Sequence, residues 1–448
     1  MASKSPVSFI GLGAMGFGMA TNLIKEGYEV TGFDVWAPTL ERFAQAGGKT
    51  ATTPAEAVAG KDHCVCMVAT AQQAQAVLLD GENAAITTLP KGASVLLAST
   101  VPCEYVQGLE KELASRGRGD ILLVDCPVSG GATRAAEGTL SIMAGASDAA
   151  IEKGRELLQA MSDPAKLYIV KGGIGGGSNL KMCHQVLAAN QILSSSEAMG
   201  FASHLGLDLP ETVKAIIASE GWSWMFEHRS PRMLDPNFQP LASAVNIIMK
   251  DTSIITSEAR RAKFPSPMTS TAEQVYFSSL GRGYGGDDDS SLIRMYTEGK
   301  GKLGALKGSA ETTEAKLKLV IDLLRGIHLC SAAETLAFAQ HVGLDLEQVY
   351  DLCINAAGGS RMLSSVGQEL IKAFREGGAV KGWAAKDENS SVRSIATALE
   401  TAVAEAQSLK VPTFLGSQAL NLLRMAVRQG DEGALDQAAA SVVRVWAV

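Results

Sequence analysis

The chain has 448 residues, of which 46 % are hydrophobic and 19 % charged, and its formal net charge is -7. This length suits about three domains, and the composition is typical of a globular protein rather than a disordered one. The acidic balance, without a long basic run, argues against nucleic acid and anionic membranes as partners. No apolar run is long enough to cross a bilayer.

The seven cysteines are an odd number and contain no C-x-x-C spacing. We therefore expect reduced thiols and a cytoplasmic location. The residues before the first glycine loop are too few for a signal peptide. Because no His/Cys cluster has ligand spacing, we predict no metal site.

The first third of the chain alternates short apolar runs with helical patterns such as Met15–Glu26 and Ala71–Leu79. Unbroken apolar runs are typical of strands buried on both faces of a parallel sheet. The alternation predicts a doubly wound α/β domain. The predicted strands are VSFIGLG, YEVTGFD, CVCMVAT, SVLLAST, ILLVDCP and TLSIMAGA.

A G-x-G-x-x-G frame, formed by Gly11, Gly13 and Gly16, joins the first strand to the first helix. Here the first glycine permits a tight turn, the second admits a pyrophosphate, and the third lets the helix pack on the strand. The phosphates would sit at the helix N-terminus. Asp34 ends the second strand and would accept the ribose hydroxyls. No arginine follows it directly, so the pattern favours NAD over NADP.

Ser129, Gly130 and Gly131 form a bend after the strand ILLVDCP. A hydroxyl and two backbone N–H groups at such a bend can bind a carboxylate. A plain strand-to-helix turn explains the same residues equally well.

A Gly175-x-Gly177-x-x-x-Lys181 motif opens a long helical pattern, with His184 and Gln185 one turn beyond the lysine. A desolvated lysine beside a cofactor can act as a general acid or base, because desolvation lowers its pKa. Alone, however, such a lysine is more often a surface residue, and the histidine more often packs or donates a hydrogen bond. The later pair Lys250–Asp251 would alone be interpreted as solvated.

Beyond Gly173 the pattern is helical to the C-terminus, with breaks expected at prolines that include Pro231. The acidic run 287–289 suggests a metal site or, more simply, a solvated turn and helix N-cap. The segment SEAMGFASHLGLDL also resembles AETLAFAQHVGLDL, which aligns Glu197 with Glu334. A helical unit therefore occurs twice.

The glycine loop, PVSGG, G-x-G-x-x-x-K and KD stand here in the order and spacing of the β-hydroxyacid dehydrogenase family. The resemblance covers roughly residues 6 to 297. KMCHQ, GWSWMFEHR and GYGGDDDSSLI resemble the L-threonate dehydrogenase branch of that family. The fold implied is an α/β Rossmann-like N-terminal domain followed by two tandem all-α domains of the 6-phosphogluconate dehydrogenase C-terminal type.

The resemblance implies reversible hydride transfer on a small hydroxy acid, such as a four-carbon sugar acid or a 3-hydroxyisobutyrate-like acid. Lys181 would be the general acid/base. Ser129, Gly130, Gly131, Gln185 and His184 would bind substrate. The cofactor, NAD rather than NADP, would be bound by Gly11, Leu12, Gly13, Ala14, Met15, Gly16, Asp34, Val68, Ala69, Thr100 and Lys250.

Two alternatives remain: an NADPH-dependent imine or semialdehyde reductase of the same fold, and a non-catalytic dinucleotide-binding or oligomerisation protein. The predicted domains are residues 1–172 for NAD, 173–297 for substrate and dimerisation, a linker at 298–312, and a second helical repeat at 313–448 without a catalytic site. That repeat would make the chain a monomer with an internal pseudo-dimer; an ordinary homodimer is the alternative.

Overall fold

The computed structural model describes residues 4–298, 308–378, 383–387, 389–430 and 438–447. The chain forms two compact units, Met1–Lys181 and Met182–Val448. Most of the predicted linker, 299–307, lies outside the described residues.

The first unit contains a six-stranded sheet in which every pairing is parallel. The strand order is β3-β2-β1-β4-β5-β6. Four of its strands, β1, β2, β4 and β5, are almost wholly buried, as expected where helices cover both faces of a sheet. The doubly wound prediction is therefore confirmed. The strands are β1 Val7–Ile10, β2 Val30–Phe33, β3 Lys49–Thr50, β4 His63–Cys66, β5 Ser94–Leu97 and β6 Leu122–Asp125.

A second, three-stranded sheet contains β7 Val128–Ser129, β8 Leu140–Ala144 and β9 Ser162–Ile169. The predicted strand TLSIMAGA belongs here, as β8, and pairs antiparallel with β7 and parallel with β9. Strands β7 and β9 were not predicted, because β7 has only two residues and β9 is polar and half exposed.

Helices connect the strands of the first unit. The first begins at Gly16, directly after the glycine loop, close to the predicted start at Met15. The helices of this unit are α1 Gly16–Lys25, α2 Ala37–Gln45, α3 Pro54–Val58, α4 Ala71–Leu78, α5 Cys103–Ser115, α6 Gly131–Glu137 and α7 Asp148–Met161. A further helix, α8, spans Gly176–His204 and carries Lys181 near its start.

The second unit is helical in all its described residues apart from turns and isolated bridges. Its helices form two corresponding series. The first continues from α8 with α9 Leu209–Ile217, α10 Trp224–Met233, α11 Val245–Arg261, α12 Pro267–Gly281 and α13 Arg294–Thr297. The second consists of α14 Thr313–His341, α15 Leu346–Ile354, α16 Arg361–Arg375, α17 Val392–Ser408 and α18 Phe414–Arg428.

Several corresponding helices of the two series agree in length or in capping, although α10 has 10 residues and α16 has 15. Helices α8 and α14 both have 29 residues, and α11 and α17 both have 17. Ser223 caps α10 as Ser360 caps α16, each through its side-chain oxygen. The sequence repeat therefore corresponds to a repeated set of helices in the structure.

One proline prediction was wrong, since Pro231 lies inside α10 rather than at a break. Proline cannot donate to the carbonyl four residues earlier, here that of Glu227. That carbonyl instead accepts a long hydrogen bond, 3.4 Å, from Ser230 Oγ. Four of the residues around Pro231 in α10 are buried, so tertiary packing stabilises the helix.

Candidate active site

The loop between β1 and α1 has the geometry that the glycine frame predicts. Gly11 has φ 93°, and a Cβ there would lie 2.2 Å from the carbonyl oxygen of Met67. A Cβ on Gly16 would lie 2.0 Å from the carbonyl oxygen of Gly11. A Cβ on Gly13 would meet nothing within 4 Å. Gly11 and Gly16 therefore serve close packing, whereas Gly13 leaves open backbone for a ligand.

The other loop positions divide between core and surface. Leu12 is buried and Met15 packs against the core, while Ala14 is exposed beside Gly13. No side-chain hydrogen bond caps α1, which leaves its N-terminus available to an anionic ligand.

Asp34 is fixed directly beside this loop. Its Oδ2 accepts a hydrogen bond from Leu12 N at 2.7 Å, and its Oδ1 accepts one from Trp36 N at 2.9 Å. Val35 and Trp36 are 90 % and 63 % exposed. A carboxylate held at this edge suits a ribose diol, because it accepts from hydroxyls and repels a phosphate. The cradle therefore fits a dinucleotide.

The remaining cofactor candidates of the first unit follow β4 and β5. Val68 N donates to Ser99 Oγ at 2.8 Å, and Ala69 N donates to Gln73 Oε1 at 2.9 Å. Thr100 is half-buried and lies three residues after the end of β5. All three lie beyond the carboxyl ends of parallel strands, where ligands of such sheets bind.

The bend after Ser129 uses backbone angles that glycine adopts readily and other residues rarely adopt. Gly130 and Gly131 have φ 144° and 74°. A Cβ on Gly130 would lie 2.9 Å from Arg134 Cδ, so the stem of Arg134 lies against the bend. No side chain caps α6, which begins at Gly131. Sequence reasoning missed Arg134, which places a cationic side chain beside the predicted anion nest.

Lys181 lies in the second turn of α8 and is 5 % exposed. The lysine is therefore a buried residue of the first unit, and the surface alternative is wrong. Burial of an ammonium group is uncommon without a specific role or partner.

In the second unit, four side chains form a continuous polar chain. His184, which is fully buried, has Nδ1 3.0 Å from Gln185 Oε1. Gln185 Nε2 donates to Asp251 Oδ2 at 2.5 Å. Lys250 Nζ lies 3.1 Å from Asp251 Oδ1. The amide of Gln185 therefore has a partner at each end: its oxygen contacts the imidazole of His184, and its nitrogen donates to Asp251.

Asp251 was missed as a functional candidate, because KD alone is typical of a solvated pair. Its side chain is instead 8 % exposed and joins α8 to α11 through Gln185. The available signal was the position of the pair on a helix with an apolar face, which places one of two adjacent charges inward.

Two residues of the acidic run, Asp288 and Asp289, are buried, which corrects the prediction of a solvated turn there. Asp289 accepts two hydrogen bonds from Arg229, at 3.0 and 2.7 Å, and Asp288 accepts one from Arg232 at 2.9 Å. Asp288 also accepts from Ser290 N, so the predicted N-cap is present. Within the described ranges, no group of three or more His, Cys, Asp or Glu residues is arranged to hold a metal ion.

The second helical series repeats neither the Lys250–Asp251 pair nor the burial of Lys181. Because α17 corresponds to α11 residue for residue, Lys250 and Asp251 correspond to Thr397 and Ala398. Lys318, the counterpart of Lys181, pairs with Asp322, the counterpart of Gln185. That lysine is 67 % exposed at its side chain, so it is a surface residue.

The strands, the glycine cradle and the fixed Asp34 define a dinucleotide-binding protein of the Rossmann type. Two family models match the chain. The NAD binding domain of 6-phosphogluconate dehydrogenase matches residues 6–172. The NAD-binding domain of NADP-dependent 3-hydroxyisobutyrate dehydrogenase matches 175–296 and again 313–446, more than half of the chain in total.

Known proteins of similar sequence are hydroxyacid dehydrogenases. L-threonate dehydrogenase from Cupriavidus necator is 38 % identical over 290 residues, which is 65 % of this chain and 95 % of that protein. The mitochondrial 3-hydroxyisobutyrate dehydrogenase of Mus musculus is 30 % identical over 304 residues, 66 % of this chain and 89 % of that protein. The chain belongs to the β-hydroxyacid dehydrogenase family and is an NAD(P)-dependent hydroxyacid dehydrogenase.

Solved structures agree with this fold. The 3-hydroxyisobutyrate dehydrogenase from Salmonella typhimurium is 31 % identical, with a TM-score of 0.60 over 65 % of this chain and 100 % of that chain. The 6-phosphogluconate dehydrogenase of Plasmodium falciparum is 16 % identical, with a TM-score of 0.69 over 95 % of this chain and 94 % of that one. The second likeness concerns the fold alone and extends over the additional helical series.

Among the residues that the structure describes, no helix is both long and apolar enough to span a membrane. All seven cysteines are buried, and none of them forms a disulfide.

Proposed function

We propose that the chain oxidises a small hydroxy acid of the four-carbon sugar-acid type, such as L-threonate, with NAD as cofactor and Lys181 as general base. The observation that carries the proposal is that three features occur together in the first unit. It combines the open glycine cradle, the glycine bend at Ser129–Gly131 and a buried lysine. The names of the most similar relatives support the substrate class.

In this mechanism the Ser129 hydroxyl and the N–H groups at Gly130 and Gly131 bind the substrate carboxylate. Lys181, neutral in the oxidation direction, takes the hydroxyl proton, and the protonated lysine returns it in the reverse direction. Gln185, oriented by Asp251, donates its remaining N–H to a substrate oxygen. NAD, when bound, supplies the hydride acceptor.

The preference for NAD over NADP rests on Asp34. Its carboxylate is fixed by two backbone hydrogen bonds, so it cannot turn away from a 2′-phosphate without breaking them. Val68, Ala69, Thr100 and Lys250 complete the proposed cofactor set. Seven buried thiols suit a reducing compartment such as the cytoplasm.

The test is a screen of three- and four-carbon hydroxy acids, followed by NADH absorbance, with NAD and NADP in parallel. We expect turnover with L-threonate or a close analogue and a higher kcat/KM with NAD. Replacement of Lys181 by Ala should lower kcat by about 10²- to 10⁴-fold while NAD still binds. The matched control is Lys171→Ala, at an exposed lysine before α8. Near-normal turnover of the Lys181 variant would remove Lys181 from the role.

We also propose that the second helical series covers the first as a partner subunit would, without a second active site. The contacts are reciprocal: Trp224 N donates to the carbonyl oxygen of Gly359, and Arg361 N donates to that of Trp222. Since α10 begins at Trp224 and α16 at Arg361, these two contacts are equivalent by the repeat. They join the two series as a two-fold axis joins two subunits.

Light scattering coupled to size exclusion tests this proposal. The full chain should be a monomer at micromolar concentration, whereas a chain ended at Tyr296 should dimerise or aggregate. A shortened chain that stays soluble, active and unchanged in association state would contradict it.

A further inference from the structure

Asp125 ends β6 and is completely buried. Its carboxylate meets the first turn of α8: Oδ2 accepts from Ser178 N and Oδ1 accepts from Ser178 Oγ, both at 2.7 Å. The backbone N–H groups of Gly175 and Gly177 also donate to it. The carboxylate therefore satisfies donors that a helix leaves unpaired at its start, and it lies at the positive end of the helix dipole.

The glycines of the Gly175-x-Gly177 motif allow this approach. A Cβ on Gly177 would lie 2.3 Å from the carbonyl oxygen of Met143 and 2.4 Å from that of Asp125. Asp125 and Gly145 exchange two backbone hydrogen bonds, of 3.1 and 2.8 Å, at the same place. The start of α8 is thus fixed against the strand ends by close backbone packing and by one buried carboxylate.

The two groups proposed for chemistry each follow one of the joined residues closely along the chain. Ser129 follows Asp125 by four residues, and Lys181 follows Ser178 by three, less than one turn of α8. Ser129 is held independently, because β7 pairs it with Ser141 of β8. The direction of Lys181, by contrast, depends on how α8 begins.

Burial raises the pKa of Asp125 to about 6, and the hydrogen bonds from Ser178, Gly175 and Gly177 oppose that rise. The group is therefore an anion at neutral pH, the state in which both oxygens accept hydrogen bonds without a competing proton.

We propose that Asp125 is a positioning residue, which fixes the start of α8 through Ser178 and thereby directs Lys181 toward the Ser129–Gly131 bend. This inference rests on the proposed function, since it assumes the role of Lys181. Asp125 itself has no exposed surface, so it acts only through the helix.

The first test is Asp125→Asn in the full chain. Asparagine keeps the volume and one acceptor oxygen but turns an amide donor toward donors of α8. We expect kcat to fall about 10- to 100-fold, because small displacements of a catalytic group are costly. The KM for the hydroxy acid should stay within about threefold, since the bend at Ser129 is held by β7 and β8. The matched control, Asp120→Asn, removes a carboxylate that Arg118 and Gly92 N contact in the same unit, and should leave kcat unchanged.

The second test is Ser178→Ala, which removes one hydrogen bond and carries the experiment if the Asn variant is insoluble. Its kcat should fall less, and the double variant should resemble Asp125→Asn alone, because both changes remove one shared interaction. A normal kcat in both single variants, with only the melting temperature lowered, would show a merely structural role and overturn the inference.

A readout without catalysis separates this inference from the proposed function. The labelling rate of Lys181 by an amine-reactive reagent, followed by mass spectrometry, should change at least threefold in Asp125→Asn, while Lys171 keeps its rate. Unchanged labelling of Lys181 would overturn the inference whatever the enzyme activity. Normal turnover in Lys181→Ala would overturn the proposed function, and leave the labelling result to decide whether Asp125 directs the lysine.

Discussion

Glu197 and Glu334 are equivalent residues of the two helical series, and each caps a helix of the other series. Glu197 accepts hydrogen bonds from Leu415 N and Gly416 N, at 3.1 and 2.9 Å, at the start of α18. Glu334 accepts from Met268 N and Thr269 N, at 2.7 and 2.9 Å, at the start of α12. Each series therefore supplies a carboxylate that pairs backbone N–H groups at the start of a helix in the other series. Because the partners of each glutamate lie in the other series, the sequence around the glutamate does not reveal its capping role.

These two carboxyls predict a pH dependence of stability. Burial raises the pKa of each to about 7, against the opposing hydrogen bonds. The folded state therefore binds protons more tightly than the unfolded state, in which glutamate titrates near 4.3. Their stabilising contribution is complete below the unfolded pKa and is lost as the pH rises toward 7, at up to about 1.4 kcal/mol per pH unit for each carboxyl.

The experiment compares wild type with Glu197→Gln/Glu334→Gln by thermal unfolding between pH 5 and 8. Because glutamine does not titrate, the melting temperature of wild type should fall relative to the variant as the pH rises. Glu211→Gln, at an exposed residue of α9, is the control and should keep the wild-type slope. Parallel curves for wild type and the double variant would refute the prediction.

The glycine loop predicts two opposite phenotypes. Gly13→Ala should leave the melting temperature unchanged and weaken NAD binding at least tenfold, because its Cβ meets no protein atom but enters the ligand's space. Gly11→Ala should lower the melting temperature, because its φ is positive and its Cβ would strike the carbonyl of Met67. Calorimetry with and without NAD distinguishes the two. Equal loss of stability in both variants would contradict this division.

Local features of this chain could be predicted from its sequence, whereas contacts between distant segments could not. The glycine roles, the strand β1 and the start of α1 follow from adjacent residues. The helical repeat follows from spacing, because both copies keep the same apolar pattern. By contrast, the burial of Asp251 depends on a helix far along the chain, and that of Asp125 on the packing of α8. Both residues look like ordinary acidic side chains in sequence.

Cofactor preference should shift when the edge at Asp34 changes. In Asp34→Ser/Val35→Arg the carboxylate is removed and an arginine is added at a position that is 90 % exposed, so the fold should tolerate it. The ratio of kcat/KM for NADP to that for NAD should rise by about two orders of magnitude, since repulsion is replaced by a charged partner. Val35→Arg alone keeps the carboxylate and should shift the ratio far less. An unchanged ratio in the double variant would show that another residue selects the cofactor.

The buried ion pair of the first series has an apolar counterpart in the second, which provides an internal control. Arg229 and Asp289 correspond to Val366 and Ala439, by the equivalent starts of α10 and α16 and of the short 3₁₀ helices at 289 and 439. Asp289→Ala alone leaves the buried guanidinium of Arg229 without its bidentate partner and should cost about 3–5 kcal/mol. Arg229→Val/Asp289→Ala removes both charges and copies the second series.

The double variant should therefore be more stable than Asp289→Ala, although it has one more substitution, and the coupling energy should exceed about 1 kcal/mol. Urea unfolding of wild type, both single variants and the double variant measures it. The surface pair Lys214–Glu211 serves as the comparison cycle and should give a much smaller coupling energy, because solvent screens both charges. Additive effects at Arg229 and Asp289 would contradict the prediction; they would arise if solvent compensates the lone guanidinium of Arg229, and Arg232 the lone carboxylate of Asp289.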